Sequence, residues 1–223
     1  MTTAGHALIL ADGAPPDPAA LDRAWPGWDE GVDRVIAADG GARLAPVLDR
    51  TIDLWVGDGD SLGADGVEAL RAAGVPVELS PVDKDESDTE LAILAAAAAD
   101  ARRVTVLGAL GGGRIDHGFA NVWLLAHPAL AGREACLIDD TARIRVVSAG
   151  DHDLGGRIGD LISLFAFGGD AVGLTTRGLR YPLSGEPLQS GSTRGLSNVR
   201  TAADAGLRVR SGLVLVVEIA ASI

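Results

Sequence analysis

Leu54-Trp55-Val56-Gly57-Asp58-Gly59-Asp60-Ser61 is the stretch that decides how the chain is read. An apolar run passes straight into a turn carrying two carboxylates and a hydroxyl. Acids cannot follow a strand into a core without partners, so this one must end where water or a ligand is at hand. In a parallel α/β sheet that place is the carboxyl edge, where ligands bind. Like charges on one tight turn persist beside a compensating cation, and hard oxygen ligands this close suit Mg²⁺ completed by substrate phosphates. The turn is expected to hold the metal of a nucleotide-dependent transfer.

Working outward, short apolar runs alternate with helical patterns up to about residue 140, as in a parallel sheet. Strands are expected at His6–Ala11, Arg34–Ala38, Leu54–Val56, Pro76–Leu79, Arg103–Leu107 and Glu134–Ile138. A Pro-rich loop follows the first of them. Helices are expected after Asp39-Gly40-Gly41 to about Leu48, over Asp65–Ala73, from Ser87 to about Ala101, and to about His127. Ser87 with Glu90 fits a capping box. Beyond Asp139 the helical period disappears, and strand-like runs separated by Gly, Ser and Pro continue to the end. Arg143–Val147, Asp160–Phe167, Tyr181–Leu183, Leu207–Val209 and Leu213–Ile219 are the clearest. The expected class is α/β: a mostly parallel, Rossmann-like domain over 1–140 and an antiparallel β-sandwich or barrel over 141–223.

Composition sets the outer bounds. The chain is 47% hydrophobic but only 4% aromatic, enough for a core filled largely by alanine. Its net charge of -12 argues against a nucleic-acid surface, which needs clustered Lys and Arg. The lone Cys136 permits no internal disulfide and reads as a small buried hydrophobe. No signal-peptide pattern opens the chain and no apolar run is long enough to span a bilayer, so a cytoplasmic protein away from membranes is expected. The tryptophans Trp25, Trp28, Trp55 and Trp123 read as packing.

Polar clusters follow four of the strands: Asp39-Gly40-Gly41, Asp58/Asp60/Ser61, Lys84/Asp85/Asp88, and Gly111-Gly112-Gly113-Arg114-Ile115-Asp116-His117. Turn chemistry alone uses these residues, and it accounts for Asp12-Gly13. Four clusters on one sheet edge, however, converge on one crevice. A helix-dipole complement explains Asp88 but not the preceding Lys84-Asp85. Glu86 reads as solvated surface. The glycine-rich turn has neither the Gly-Lys-Ser/Thr of a P-loop nor dinucleotide-binding spacing. Its backbone N–H groups still suit phosphates, and Arg114 adds a planar fork. His117 taken singly reads as a structural hydrogen-bonder, Tyr181 as a half-buried packing residue, and Ser197-Asn198 as a turn.

The ordered set resembles the bacterial type of thiamine pyrophosphokinase. The resemblance rests on Ala38-Asp39-Gly40-Gly41-Ala42, Gly57–Ser61, Lys84–Glu90, Gly112–His117 with Asn121, Thr176–Leu183 and Ser197-Asn198. It implies pyrophosphoryl transfer from ATP to thiamine, a β-sandwich that helps bind thiamine, and a homodimer with active sites at the subunit interface. Carried over, Asp58, Asp60 and Asp88 are the Mg²⁺ acids, and Asp85 or Asp88 accepts the hydroxyl proton. Asp39, Arg114 and Asp116 contact ATP, with Gly40, Gly41, Ser61, Lys84, Thr89, Gly112, Gly113 and His117 completing the nucleotide side. Tyr181 stacks on thiamine, near Ser197 and Asn198. Gly59 stands where the family has a bulky residue, and Arg43 where it has Asn. The rival readings are a small-alcohol kinase of related fold and a silent nucleotide- or thiamine-binding module.

Overall fold

The apolar runs of the first half lie side by side as a wholly parallel sheet. The computed structural model describes residues 5–221 and divides into a unit ending at Asp140 and another beginning at Thr141. In the first unit β1 (His6–Leu10) leads through α1 (Pro18–Ala24) to β2 (Val32–Ala38). A 3₁₀ turn, Asp39–Arg43, then runs into the short α2 (Leu44–Val47). There follow β3 (Leu54–Gly57), α3 (Ala64–Ala72), β4 (Val77–Leu79), α4 (Asp88–Ala98), β5 (Arg103–Leu107), α5 (Ile115–Leu124) and β6 (Glu134–Ile138). Their spatial order is β4-β3-β2-β1-β5-β6, every neighbouring pair parallel.

The chain winds outward from β1 to β4, then crosses back and continues the other way from β5. The reversal between β1 and β5 is a topological switch point, where loops leaving adjacent strands part and open a crevice. Leu10 pairs with both Ala37 and Leu107, so the carboxyl ends of β2, β1 and β5 finish level. β1 is buried along its whole length. α4 packs over β1, β2 and β3 through buried Ala92, Ile93 and Ala96, small side chains that admit the helix close to the sheet.

Several elements depart from the sequence expectation. The Pro-rich loop, expected through Pro18, ends there in α1, an element the sequence expectation lacks: Pro18 occupies the first helical position and Asp17 caps it by accepting from the Ala20 N–H at 2.6 Å. Ser87 caps α4 through the Glu90 N–H at 3.2 Å, but the Glu90 carboxylate faces His127 at 3.4 Å instead of closing the box. Trp25 and Trp55 are buried, whereas Trp123 is 64% exposed, so the packing reading fails there. Cys136 is half-buried rather than buried. No helix among the described residues is long and apolar enough to cross a membrane.

The second unit is antiparallel. Its strands are β7 (Ala142–Val147), β8 (Gly150–Asp153), β9 (Leu161–Arg177), β10 (Ser184–Leu188), β11 (Asn198–Val199), β12 (Gly206–Val209) and β13 (Ser211–Ile219). β9 organises the rest. Up to Phe167 it pairs with β13 and β11, and from Ala171 with β12 and β10, β13 rejoining it at Ser211–Val172 after a slip in register. Ile162, Leu164, Leu174, Leu207, Val214 and Val216 form one buried cluster fed from both stretches. Glu218, only 1% exposed, is held by Arg143 at 2.6 Å and the Gly155 N–H at 2.8 Å.

The expected strand Tyr181–Leu183 is absent, and the ladder begins only at Ser184. The reason is local. The Asn198 side chain takes the Tyr181 N–H at 3.0 Å and donates to its carbonyl at 2.6 Å, and Pro182 has no N–H to offer.

Candidate active site

The turn after β3 is folded around Asp39, the first residue beyond β2. Its carboxylate accepts the Ser61 N–H at 2.9 Å and the Leu62 N–H at 3.2 Å, while its carbonyl accepts the Trp55 indole N–H at 3.0 Å. Asp39 is 3% exposed, and burial pushes its carboxyl up against the pull of those two amides. Within the turn, Asp58 accepts the Asp60 N–H at 3.0 Å and Asp60 accepts the Ser61 hydroxyl at 3.1 Å. Gly59 has φ of +81°, which a side chain disfavours, and a Cβ there would approach the Val67 methyl to 3.2 Å. The bulky residue of the family pattern is thus replaced by one that lets this turn double back.

Gly40 and Gly41 are buried, and a Cβ on either would collide, with the Asp12 carboxylate and the Leu10 carbonyl respectively. They let the 3₁₀ turn lie against the end of β1. Arg43 ties the same elements together, pairing with Asp12 at 3.2 Å and donating to the Ser61 carbonyl. Sequence reasoning dismissed Asp12 and saw Arg43 only as a departure. The available signal was position: Asp12 follows the central strand at the switch point.

A cation does stand beside Asp58, and it is Lys84. Its ammonium lies 2.9 Å from Asp58 Oδ2 and 3.0 Å from Asp88 Oδ1, with all three side chains largely buried. The Lys84 hydrogen bond, seconded by the Asp60 N–H, holds the Asp58 carboxyl below the usual range. Burial pulls the Lys84 ammonium down, but the attraction of Asp58 and Asp88 outweighs this and leaves it raised. Asp88 goes the other way: burial lifts its carboxyl more than Lys84 lowers it. Oxygens of Asp39, Asp58 and Asp60 lie within 4.8 Å of one another. Asp88 stands across Lys84 from Asp58, while Asp85 is exposed in the preceding loop and Thr89 sits in the first turn of α4.

On the neighbouring side of the switch point, the loop after β5 packs on the loop after β1. The Gly13 N–H donates to Gly108 at 2.6 Å and the Ala14 N–H to Leu110 at 3.0 Å. Asn121, buried in α5, anchors the loop by donating to the Ala109 carbonyl at 2.8 Å. Gly112, Gly113, Arg114, Asp116 and His117 are all exposed. Arg114 grips Asp116 through two hydrogen bonds, at 2.9 and 2.6 Å, and holds its carboxyl down at about 2.

In the second unit Tyr181 is 62% exposed, with the Arg180 guanidinium 5.5 Å from its ring centre. Asn198 is buried, and besides its two bonds to Tyr181 it accepts the Val199 N–H at 2.9 Å. It positions Tyr181 rather than facing solvent. Ser197 is exposed, its N–H held by the Ser163 hydroxyl at 3.0 Å.

A parallel sheet with clustered carboxylates, a paired lysine and a glycine-rich loop on its carboxyl edge, followed by an antiparallel β unit, defines an α/β enzyme of the phosphate-transferring class. The family model described as thiamin pyrophosphokinase, catalytic domain, matches residues 28–137, and that described as thiamin pyrophosphokinase, vitamin B1 binding domain, matches residues 149–214. The chain belongs to the thiamin pyrophosphokinase family.

Thiamine pyrophosphokinase of Bacillus subtilis is 29% identical over 143 residues, which span 64% of this chain and 66% of that protein. Among solved structures, a thiamine pyrophosphokinase from Bacillus subtilis superposes with a TM-score of 0.81 at 23% identity, covering 97% of this chain and 100% of that one. A thiamin pyrophosphokinase family protein from Enterococcus faecalis does so with 0.79 at 25% identity, over 97% and 100%. Thiamin pyrophosphokinase from Candida albicans, at 16% identity, shares the fold with a TM-score of 0.75 over 96% and 88%.

Proposed function

We propose that the chain transfers the pyrophosphoryl group of ATP to the hydroxyl of thiamine, giving thiamine diphosphate and AMP. The observation that carries this reading is the gathering of Asp39, Asp58 and Asp60 oxygens within 4.8 Å on the carboxyl edge of the parallel sheet. Such hard oxygen donors fit Mg²⁺. Asp88 Oδ1 fits it too, being buried without an aligned hydrogen-bond donor although Lys84 is near. Asp58, Asp60 and Asp88 would hold the ion, with Asp39 fixing the turn. The ion these residues would hold supplies positive charge against the negative charge spreading over the transferred group.

The remaining work falls to the chain's own groups. Arg114 presents a fork that phosphate oxygens take over from Asp116. Ser61, Thr89 and the Gly112-Gly113 backbone supply further donors, with Gly40, Gly41 and His117 shaping the nucleotide side. With Asp88 taken up by the metal site, the exposed Asp85 accepts the proton of the attacking hydroxyl. The exposed Tyr181 ring takes the thiazolium cation on its face, and Ser197 flanks it.

Incubation with thiamine, ATP and Mg²⁺ tests the reading. Thiamine diphosphate with AMP supports it; thiamine monophosphate with ADP would make the chain an ordinary kinase, and no product a binding module. The enzyme acts as a homodimer in the cytoplasm. Ile115, Phe119 and Trp123, spaced at i, i+4 and i+8 on α5 and all exposed, supply an apolar stripe of the kind a second copy covers. Light scattering should give about twice the 22.7 kDa chain mass; a monomer would contradict it.

A further inference from the structure

Lys84 is the chain's only lysine among 19 lysines and arginines. Every other cationic side chain is a planar guanidinium, yet here, among the acids, stands a compact point charge on a flexible stem. Its ammonium is 2.9 Å from one carboxylate and 3.0 Å from the next, with side chains only 11%, 10% and 23% exposed for Lys84, Asp58 and Asp88. A small cation held between two buried carboxylates is also the description of a bound metal ion. We propose that the Lys84 ammonium keeps the place of a divalent cation between Asp58 and Asp88 in the metal-free protein, vacates it when the metal enters, and then serves the phosphates of the substrate. The inference rests on the reading of the acidic turn as a metal site.

Two observations support exchange rather than a permanent bridge. The Lys84 contact to Asp88 is one of charge alone: the ammonium aligns on Asp58 and, at 3.4 Å, on the Pro81 carbonyl, while Asp88 Oδ1 has no hydrogen bond among the described residues. Lys84 also stays short of neutralising its surroundings. Asp39, Asp58, Asp60 and Asp88 make four formal negative charges against one positive, leaving three. A dication in the same place brings twice the charge, and a long side chain rooted in the loop between β4 and α4 can swing aside. With Lys84 between them, Asp58 and Asp88 do not share a ligand; once it leaves, Asp88 joins Asp58 and Asp60, the trio that the family resemblance implies.

Mn²⁺ binding to the full chain without nucleotide, followed by electron paramagnetic resonance, tests this directly. Lys84→Met should bind Mn²⁺ roughly tenfold or more tightly than the wild type, since the competing charge is gone. Lys84→Arg, which keeps the charge, should stay within about threefold of the wild type. In the wild type, labelling of Lys84 by an amine-reactive reagent, read on its own peptide, should accelerate severalfold when Mg²⁺ is added, which needs no variant to fold. Equal or weaker Mn²⁺ binding by Lys84→Met, or a labelling rate indifferent to Mg²⁺ while Mn²⁺ binds, overturns the inference and leaves the metal site standing. No Mn²⁺ binding by any form overturns the metal site as well.

Discussion

Asp39 is the residue on which the acidic turn hangs. A carboxylate buried to 3% exposure and spent on two backbone amides fixes where Asp58 and Asp60 point. The sequence marks it as polar and near the nucleotide but cannot say that it faces inward, since burial depends on how β2 and β3 lie together. Asp60, by contrast, is exposed, and its side chain accepts from the Ser61 hydroxyl. Asp60→Asn should therefore lower kcat/KM about a hundredfold or more while moving the melting temperature by no more than about 2 °C. Large unfolding with activity per folded molecule retained would remove Asp60 from the metal. Gly59→Ala meets both an unfavourable φ and the Val67 methyl, and denaturant unfolding should show a loss of about 1–2 kcal/mol. A neutral result would mean that the turn is not held in that conformation.

Among elements, the strand ends were legible because polarity changes abruptly there: Val56 to Asp58, Ala38 to Asp39, Leu107 to Gly108. What was not legible is where a backbone finds its partners. Tyr181–Leu183 has strand composition, but the distant Asn198 takes both polar groups of the Tyr181 backbone, a contact no local pattern announces. Likewise β9 runs through Gly168-Gly169, residues that read as a turn, because β13 and β12 catch it on either side. Asn198→Ala should raise KM for thiamine severalfold with KM for ATP unchanged, at a stability cost of about 1–3 kcal/mol for the unpaired groups. Equal shifts in both KM values would show that Asn198 acts on something other than the Tyr181 segment.

For the whole molecule, the order β4-β3-β2-β1-β5-β6 places the loops after β1, β2, β3 and β5 along one carboxyl edge. Alternating helices and strands foretold a parallel sheet, and the switch point explains why its polar clusters gather. Alternation does not give strand order, however, so the part played by Asp12 and Arg43 in joining the β1, β2 and β3 ends emerged only with the fold. In the proposed function the carboxylates, the paired lysine and the exposed arginine fork serve the phosphates of the transferred group. The most direct measurement is the nucleotide balance when thiamine diphosphate forms from ATP. One AMP for each thiamine diphosphate, with no ADP, is the predicted result; two ADP for each thiamine diphosphate would mean successive single phosphorylations and contradict the account.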